Sequence, residues 1–262
     1  MAHSIRAPRR RIKKLSMSIF AAQKWEAPDR NFFGHRDCMV RNMSRYNFIA
    51  PYARGRCFDI GCGRGYGFDY LKGRCSTCTG LDVSDAFLRE ARAEYPEVSF
   101  VKHSAEKLPF ADNSFDTIIS FEVIEHVEDD KTFLSEIVRV AAPGALVALS
   151  TPNRPAVSGE SERPLNKFHV REYVAEEFRE LLANYFVEVV LYAQSENRDG
   201  GTAGRRSLID RIPLRFKYLI PFYVQDVFSV MLRPPLRMED CHFNVNAFDG
   251  AHTIYAVARV PL

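Results

Sequence analysis

The chain has 262 residues, of which 46% are hydrophobic and 26% are charged. This length suits one substantial α/β domain with additions better than two full domains. No run reaches the roughly 18 uninterrupted apolar residues of a membrane helix, and a net charge of +3 does not demand a nucleic-acid partner.

The chain begins with a basic segment, because residues 6–14 read RAPRRRIKK and hold six cations and no acid. We predict that residues 1–24 form a disordered, solvated tail and that residues 25–262 form a single domain. Contact with anionic lipid or nucleic acid is an alternative. An organelle transit peptide is another, since such peptides are rich in arginine and serine and poor in acids.

From residue 56 onward, short apolar runs rich in β-formers alternate with helical patterns, as is typical of a parallel sheet with crossover helices. A helix over 36–51 precedes them and is placed to lie over a binding site. The predicted strands are 56–60, 79–83, 99–102, 115–121, 145–150, 187–193 and 253–260. The helices between them are 84–95, capped by Ser84, then 129–141 and 171–185.

An insertion at about 195–240 interrupts the hairpin expected before the last strand. Between Arg205 and Arg237 it carries seven cations and two acids among many aromatic and aliphatic residues. We expect acceptor selectivity to lie here. An amphipathic lid that meets a lipid-linked substrate at the membrane surface, a dimer contact and simple completion of the core all remain open.

The clearest motif is CFDIGCGRGYG, residues 57–67, in which a strand ends at Asp59 and glycines follow at 61, 63, 65 and 67. Glycine permits the positive φ values and close backbone approach of a ligand-binding turn between strand and helix. Dinucleotide folds favour G-x-G-x-x-G, whereas this turn reads D-x-G-x-G-x-G. The spacing therefore disfavours a nicotinamide oxidoreductase.

A second motif, GLDVS, places Asp82 at the end of the next strand, 21 residues beyond Gly61. An acidic side chain there can accept hydrogen bonds from both hydroxyls of a ribose. An aspartate after a strand is also a common helix cap. Together with the glycine turn at this separation, ribose binding is the better interpretation.

These motifs resemble those of the class I S-adenosylmethionine (SAM)-dependent methyltransferases, and more narrowly the type 11 group that includes enzymes of ubiquinone and menaquinone biosynthesis. FDIGCGRG and LDVS are followed in order by SAEKLPFADNSFD, FEVIEHV and ALVALSTPN. The resemblance implies a Rossmann-like, seven-stranded, mostly parallel sheet with flanking helices and an antiparallel last strand. It also implies SAM as the cofactor.

The resemblance further implies roles for individual residues. The turn with Asp59, Gly61, Gly63 and Gly65 would face the methionine end of SAM, and the carbonyl of Phe121 would accept from its ammonium group. Asp82 would bind the ribose. The adenine would be bordered by Val83, Ser104, Ala105 and Glu106. The family often has aspartate where this chain has Ser104.

Two histidines are candidate catalytic residues. A hydroxyl acceptor usually needs a base, and His126 follows the fourth strand beside the expected transfer point. His169, in KFHVRE, is a candidate to line the acceptor site. The alternative for His126 is a capping or packing role on the following helix, and for His169 packing at a helix start.

A metal site is a further alternative for the same segment. Glu122, Glu125 and His126 stand at i, i+3 and i+4, so one helical turn would bring them together, and His169 could supply a fourth ligand. The pattern is similar to the ExxEH metal site of small-RNA 2′-O-methyltransferases. The same EVIEHV sequence also occurs in type 11 enzymes, where it reflects the fold alone.

The sequence thus predicts a cytoplasmic methyltransferase that acts on a small molecule, with oxygen as the favoured acceptor atom. A sugar, saccharide intermediate or quinone precursor would fit, and peripheral contact with a membrane is compatible with the basic segments. The alternatives are a metal-dependent RNA 2′-O-methyltransferase and, from another class, a non-catalytic SAM- or nucleotide-binding partner subunit. No separate RNA-binding module is visible.

Overall fold

A computed structural model describes residues 34–161, 163–196 and 238–262. Its strands are β1 (Arg56–Ile60), β2 (Thr77–Asp82), β3 (Ser99–Lys102), β4 (Phe115–Phe121), β5 (Ala141–Pro152), β6 (Val187–Glu196), β7 (Cys241–Val245) and β8 (Thr253–Arg259). Its α-helices are α1 (Gly34–Ile49), α2 (Phe68–Leu71), α3 (Asp85–Glu94), α4 (Asp130–Val140), α5 (Arg154–Val157) and α6 (Ala175–Ala183). Short 3-10 turns cover Ile124–His126 and Met238–Asp240.

The strands form one sheet in the order β3-β2-β1-β4-β5-β8-β6-β7. The first five strands are mutually parallel, β8 is antiparallel to β5, and β6 and β7 complete the antiparallel edge. The predicted Rossmann-like, mostly parallel sheet with an antiparallel last strand is confirmed. The predicted count of seven strands is wrong, since β7 is an eighth. Its mostly exposed sequence CHFNV interrupts apolar with polar residues and so lacks the continuous apolar run that marks the central strands.

Helices cover both faces of this sheet. Apolar side chains of α4 and α6, such as Phe133 and Phe178, pack with Phe58 and Ile118 of the strands on one face. On the other face α1, α2 and α3 pack against strand residues that include Ile119. Because neighbouring strand residues point to opposite faces, Ile118 and Ile119 each anchor a different helical layer. Burial on both faces explains why the central strands read as continuous apolar runs.

The helix boundaries follow local capping. The Ser84 hydroxyl accepts from the amide of Phe87 at the start of α3, as predicted, and Asp129 caps α4 in the same way. Helix α6 begins at Ala175 rather than at 171. Tyr173 instead forms a β-bridge with Asn153, which keeps the backbone before Ala175 extended. The predicted helix is therefore too long at its start.

The parallel strands all place their carboxyl ends at the same edge of the sheet, which is where parallel α/β folds bind ligands. Among the described helices none is long and apolar enough to cross a membrane. The predicted tail at 1–24 and most of the predicted insertion at 195–240 lie outside the described residues.

Candidate functional site

The glycine turn follows β1 at this edge. Gly61, Gly63 and Gly65 have φ values of +75°, +53° and +79°, which only glycine adopts readily. A β-carbon at Gly63 would meet no atom of the described residues within 4 Å, so this part of the structure leaves space that a ligand can enter. The amide of Gly61 donates to the carbonyl of Leu81 at 2.7 Å and ties the turn to β2. The turn is thus rigidly placed and open on its outer side.

Asp59 lies buried at the base of the turn. The Tyr46 hydroxyl of α1 donates to its Oδ2 at 2.9 Å, while Oδ1 has no hydrogen-bond partner among the described residues. Burial raises the pKa of Asp59 to about 8, and the Tyr46 hydrogen bond opposes that rise. A buried carboxyl oxygen that lacks a donor fits a site for a cationic ligand group such as an ammonium.

Asp82 links the turn to the next helix. Its Oδ2 accepts from the amide of Gly63 at 2.9 Å, and its Oδ1 accepts from the amide of Ser84 at 2.8 Å. Each carboxylate oxygen keeps a second lone pair, so the group can still accept from two ribose hydroxyls. Next to it the side chain of Val83 is 66% exposed, an apolar surface on which a base can pack. These features fit the nucleoside part of SAM.

The predicted adenine-side loop lies at the same edge of the sheet, and its polar side chains already form hydrogen bonds within the protein. The Ser104 hydroxyl accepts from the amide of Glu106, and Ala105 is buried. Glu106 Oε1 accepts from the amides of Glu128 and Asp129 at 2.9 and 3.1 Å. The Glu106 carboxylate therefore braces the segment that leads into α4.

Helix α1 reaches over the glycine turn, as the sequence predicted, through contacts that the sequence did not reveal. Besides Tyr46, Asn42 donates to the hydroxyl of Tyr66 in the turn at 3.1 Å. The Tyr46 ring packs edge-on against Phe121, with centroids 4.9 Å apart. A helical pattern predicts α1, but it does not predict which of its side chains contact the glycine turn.

Glu122, directly after β4, is held in an unusual conformation. Its φ is +57°, which costs free energy for a non-glycine residue and is common at functional sites. Its Oε1 accepts from the Ser150 hydroxyl at 2.8 Å and pairs with the buried guanidinium of Arg45 at 3.2 Å. The Arg45 guanidinium also donates hydrogen bonds to the side chains of Gln194 and Thr253. This network fixes the loop that follows β4.

The 3-10 turn that follows carries Glu125, whose side chain is 1% exposed. Its Oε2 accepts from the Thr151 hydroxyl at 3.2 Å, but Oε1 has no hydrogen-bond partner among the described residues. His126 Nε2 lies 3.9 Å from that oxygen, beyond hydrogen-bond range. Burial, and after it the charge of Glu122, raises the pKa of Glu125.

The structure brings His126 and His169 together, with ring centroids 4.9 Å apart. His126 Nδ1 lies 3.0 Å from the carbonyl oxygen of Phe168, and His169 Nδ1 lies 2.7 Å from Oε1 of the buried Glu172. Burial lowers the pKa of His126, so its ring is neutral at neutral pH. One ligand atom each of Glu125, His126 and His169 falls within 4.8 Å of the others. Glu122, the fourth predicted member, is absent from this group.

The segment that carries Glu125 and His126 adjoins the glycine turn. A β-carbon at Gly61 would overlap the side chain of Val123, three residues before His126. The cofactor and acceptor candidates therefore share one edge of the sheet. The opposite edge has a shallow cavity lined by Arg54, Asp116 and Ala142, and it holds none of the predicted site residues.

The same fold occurs among solved methyltransferases. A SAM-dependent methyltransferase from Thermotoga maritima aligns with 86% of this chain and 93% of its own, with a TM-score of 0.58 and 19% identity. The N-methyltransferase NodS from Bradyrhizobium japonicum, solved with S-adenosyl-L-homocysteine, covers 89% of this chain and 90% of its own, with a TM-score of 0.50 and 16% identity. The chain thus has the class I methyltransferase fold.

Sequence comparison finds relatives that are methyltransferases. Residues 58–149 match the family described as "Methyltransferase domain". A "Probable S-adenosylmethionine-dependent methyltransferase" of Mycolicibacterium smegmatis is 38% identical over 167 residues, 60% of this chain and 65% of that protein. A phthiotriol/phenolphthiotriol dimycocerosates methyltransferase of Mycobacterium ulcerans is 32% identical over 145 residues, 52% and 54% of the two chains. The chain therefore spans between half and two thirds of these relatives.

Residues 58–149 thus match the methyltransferase-domain family, and the predicted resemblance of the chain to the class I SAM-dependent methyltransferases is confirmed. The cofactor of this family is SAM, as the sequence predicted.

Proposed function

We propose that this protein transfers the methyl group of SAM to a hydroxyl oxygen of a small-molecule acceptor. The observation that carries the proposal is the cluster of Glu125, His126 and His169, which lies in part on the segment whose Val123 packs against the glycine turn. Bound SAM supplies a methyl group on a sulfonium centre, which is already a good electrophile. The protein's own contribution is to hold and activate the acceptor.

The residues around the turn are proposed to bind the cofactor. Asp59, with Gly61, Gly63 and Gly65, would surround the methionine end, and the Phe121 carbonyl would accept from the ammonium group. The buried Asp59 Oδ1, to which no residue in the described part of the chain donates, supports this assignment. Asp82 would accept from the ribose hydroxyls. The adenine would lie against Val83, with Ser104, Ala105 and Glu106 at its border.

His126 and His169 are proposed as the catalytic residues of the acceptor side. A hydroxyl is a weak nucleophile until its proton is lost or its O–H bond is polarised. The side chain of His126 is 43% exposed and neutral, so an acceptor can reach it. His169, at 9% exposure, is fixed by Glu172. The Phe168 carbonyl at His126 and the Glu172 carboxylate at His169 orient the two rings, which distinguishes them from ordinary surface histidines.

The acceptor is proposed to carry an apolar portion. The segment that brings His169 into the cluster also exposes Leu165 (55%), Phe168 (38%) and Val170 (40%), and we propose that these apolar side chains form a rim beside the cluster. Lys167 lies over the Phe168 ring and adds a positive charge to the rim. A hydroxylated amphiphile, including a lipid-linked one, fits this surface. The name of the Mycobacterium ulcerans relative agrees with such an acceptor.

Transfer from SAM labelled on the methyl group to a panel of hydroxylated small molecules and lipids tests this function. We expect label in an alkali-stable ether product, and little of it with His126→Ala. The matched control is His242→Ala, which removes an exposed histidine from β7. SAM binding without transfer to any acceptor would favour a non-catalytic partner subunit. Label on nitrogen or carbon would refute the choice of oxygen.

A further inference from the structure

Glu125, His126 and His169 converge on one point from two segments of the chain, since each offers a ligand atom within 4.8 Å of the others. We propose that this cluster is a binding site for a first-row divalent cation, with Glu125 and the two imidazoles as its protein ligands. One carboxylate and two imidazoles suit zinc, manganese or iron better than magnesium or calcium, which prefer oxygen ligands alone. Three protein ligands leave coordination positions open.

The strongest support is the state of Glu125. Its Oε1 is buried in the protein, yet no described residue donates a hydrogen bond to it. Leaving a buried acceptor without a donor costs free energy, so such an atom calls for an explanation. His126 Nε2, 3.9 Å away, is too distant for a hydrogen bond. Two atoms that share one metal ion, each about 2.0–2.2 Å from it, normally lie roughly 3–4 Å apart.

The histidines are oriented as metal ligands usually are. A carbonyl oxygen can only accept, so His126 Nδ1 donates to Phe168 and leaves the lone pair on Nε2. His169 Nδ1 donates to the Glu172 carboxylate, an arrangement that commonly supports a metal-binding histidine. The other nitrogen of His169 now accepts from Asn166 at 2.9 Å. Metal binding would replace this one hydrogen bond.

The local charge also favours a cation. Glu125 and Glu172 are both 1% exposed, and each has a carboxylate oxygen that lacks a hydrogen-bond partner among the described residues. The cation that acts on Glu125 is Arg45, whose guanidinium already pairs with Glu122. Buried carboxylates are stabilised by pairing or by metal coordination. A dication at the cluster would favour the ionised form of both carboxyl groups.

The site itself does not depend on methyl transfer, but the role we assign to it rests on the proposed function. An acceptor hydroxyl that occupies an open position on the cation would lose its proton to water more easily. Its oxygen would then form a bond to the methyl carbon as the bond from that carbon to sulfur breaks. The products are a methyl ether, S-adenosylhomocysteine and one proton, and the cation changes neither charge nor oxidation state.

Titration of the EDTA-treated full chain with Mn²⁺, followed by loss of the free-ion signal in electron paramagnetic resonance, tests the site without SAM. Mn²⁺ is the probe because it avoids thiols, and the chain has six cysteines. We expect one saturable site that Glu125→Gln or His169→Ala weakens at least ~10-fold. Glu172→Gln should weaken it by a similar factor, whereas His242→Ala, a change at an exposed strand residue, should not.

Circular dichroism establishes that each variant is folded, and His126→Ala, at the more exposed ligand, replaces any variant that does not fold. The proposal is overturned if the folded wild-type chain takes up no Mn²⁺, or if uptake is unchanged in the ligand variants. Calorimetry with SAM on the same metal-free protein keeps the two proposals separate. SAM binding without Mn²⁺ binding would remove only the cation site.

Discussion

The buried carboxyl group of Asp59 makes the stability of the protein depend on pH in a way that Asp59→Asn should abolish. The group ionises at pH 3.8 when solvated, but burial raises its pKa to about 8 in the folded protein. Between these values the unfolded chain has released the proton and the folded chain retains it. The free energy of unfolding therefore falls as pH rises from about 4 to about 8.

The size of the effect follows from the difference in pKa. A difference of about four units corresponds to at most ~6 kcal/mol, since each unit is worth ~1.4 kcal/mol. Water that enters around the new charge recovers part of this cost, so we expect ~2 kcal/mol or more. Asparagine has no charge to bury and can still accept from Tyr46. At pH 8 the variant should therefore melt about 4–8 °C above the wild type.

Thermal unfolding of both proteins at pH 5.5 and pH 8.5 measures the effect, because titrations common to both cancel in the difference. Asp112→Asn is a matched control, since that side chain is 70% exposed. The gap between the Asp59 variant and the wild type should widen with pH, and the gap for the control should not. A melting difference that stays constant across this range would refute the account of Asp59.

Three further predictions concern the cofactor and acceptor sides. Asp82→Ala should weaken SAM binding at least ~10-fold in calorimetry because two ribose hydrogen bonds are lost; unchanged affinity would remove the ribose assignment. His126→Ala should lower turnover at least ~100-fold while SAM affinity stays within twofold, and retained activity would exclude a catalytic role. Tyr46→Phe should lower the free energy of unfolding by ~1–3 kcal/mol in urea at pH 7, since Asp59 loses its donor; an unchanged midpoint would show that this hydrogen bond adds no stability.

Local patterns made most of the fold predictable. The apolar runs of β1 and β4, the Ser84 cap and the glycine turn each specify their own backbone, so they were placed from sequence with small boundary errors. Strand β7 is not predictable from local sequence, because an exposed edge strand needs no apolar run and its partner β6 lies far away along the chain. The start of α6 was misplaced because the Asn153–Tyr173 bridge is a long-range contact.

The candidate site was predictable in its parts but not in its connections. The EVIEHV segment pointed to Glu125 and His126, and a helical turn was expected to add Glu122. The structure instead turns Glu122 toward Arg45 and Ser150 through a positive φ. Glu172 follows His169 by three residues, a spacing that could have indicated the pair, although no helix forms there. Long-range partners such as Tyr46 leave no local signal.

The most direct test of the central claim is a calorimetric titration of the purified, folded protein with SAM. We expect one molecule of SAM to bind per chain with a dissociation constant in the micromolar range, that is, about −8 kcal/mol. The same titration with Asp112→Asn should give the same result, and with Asp82→Ala a clearly weaker one. Absence of SAM binding in a protein that unfolds cooperatively would contradict the methyltransferase account at its base.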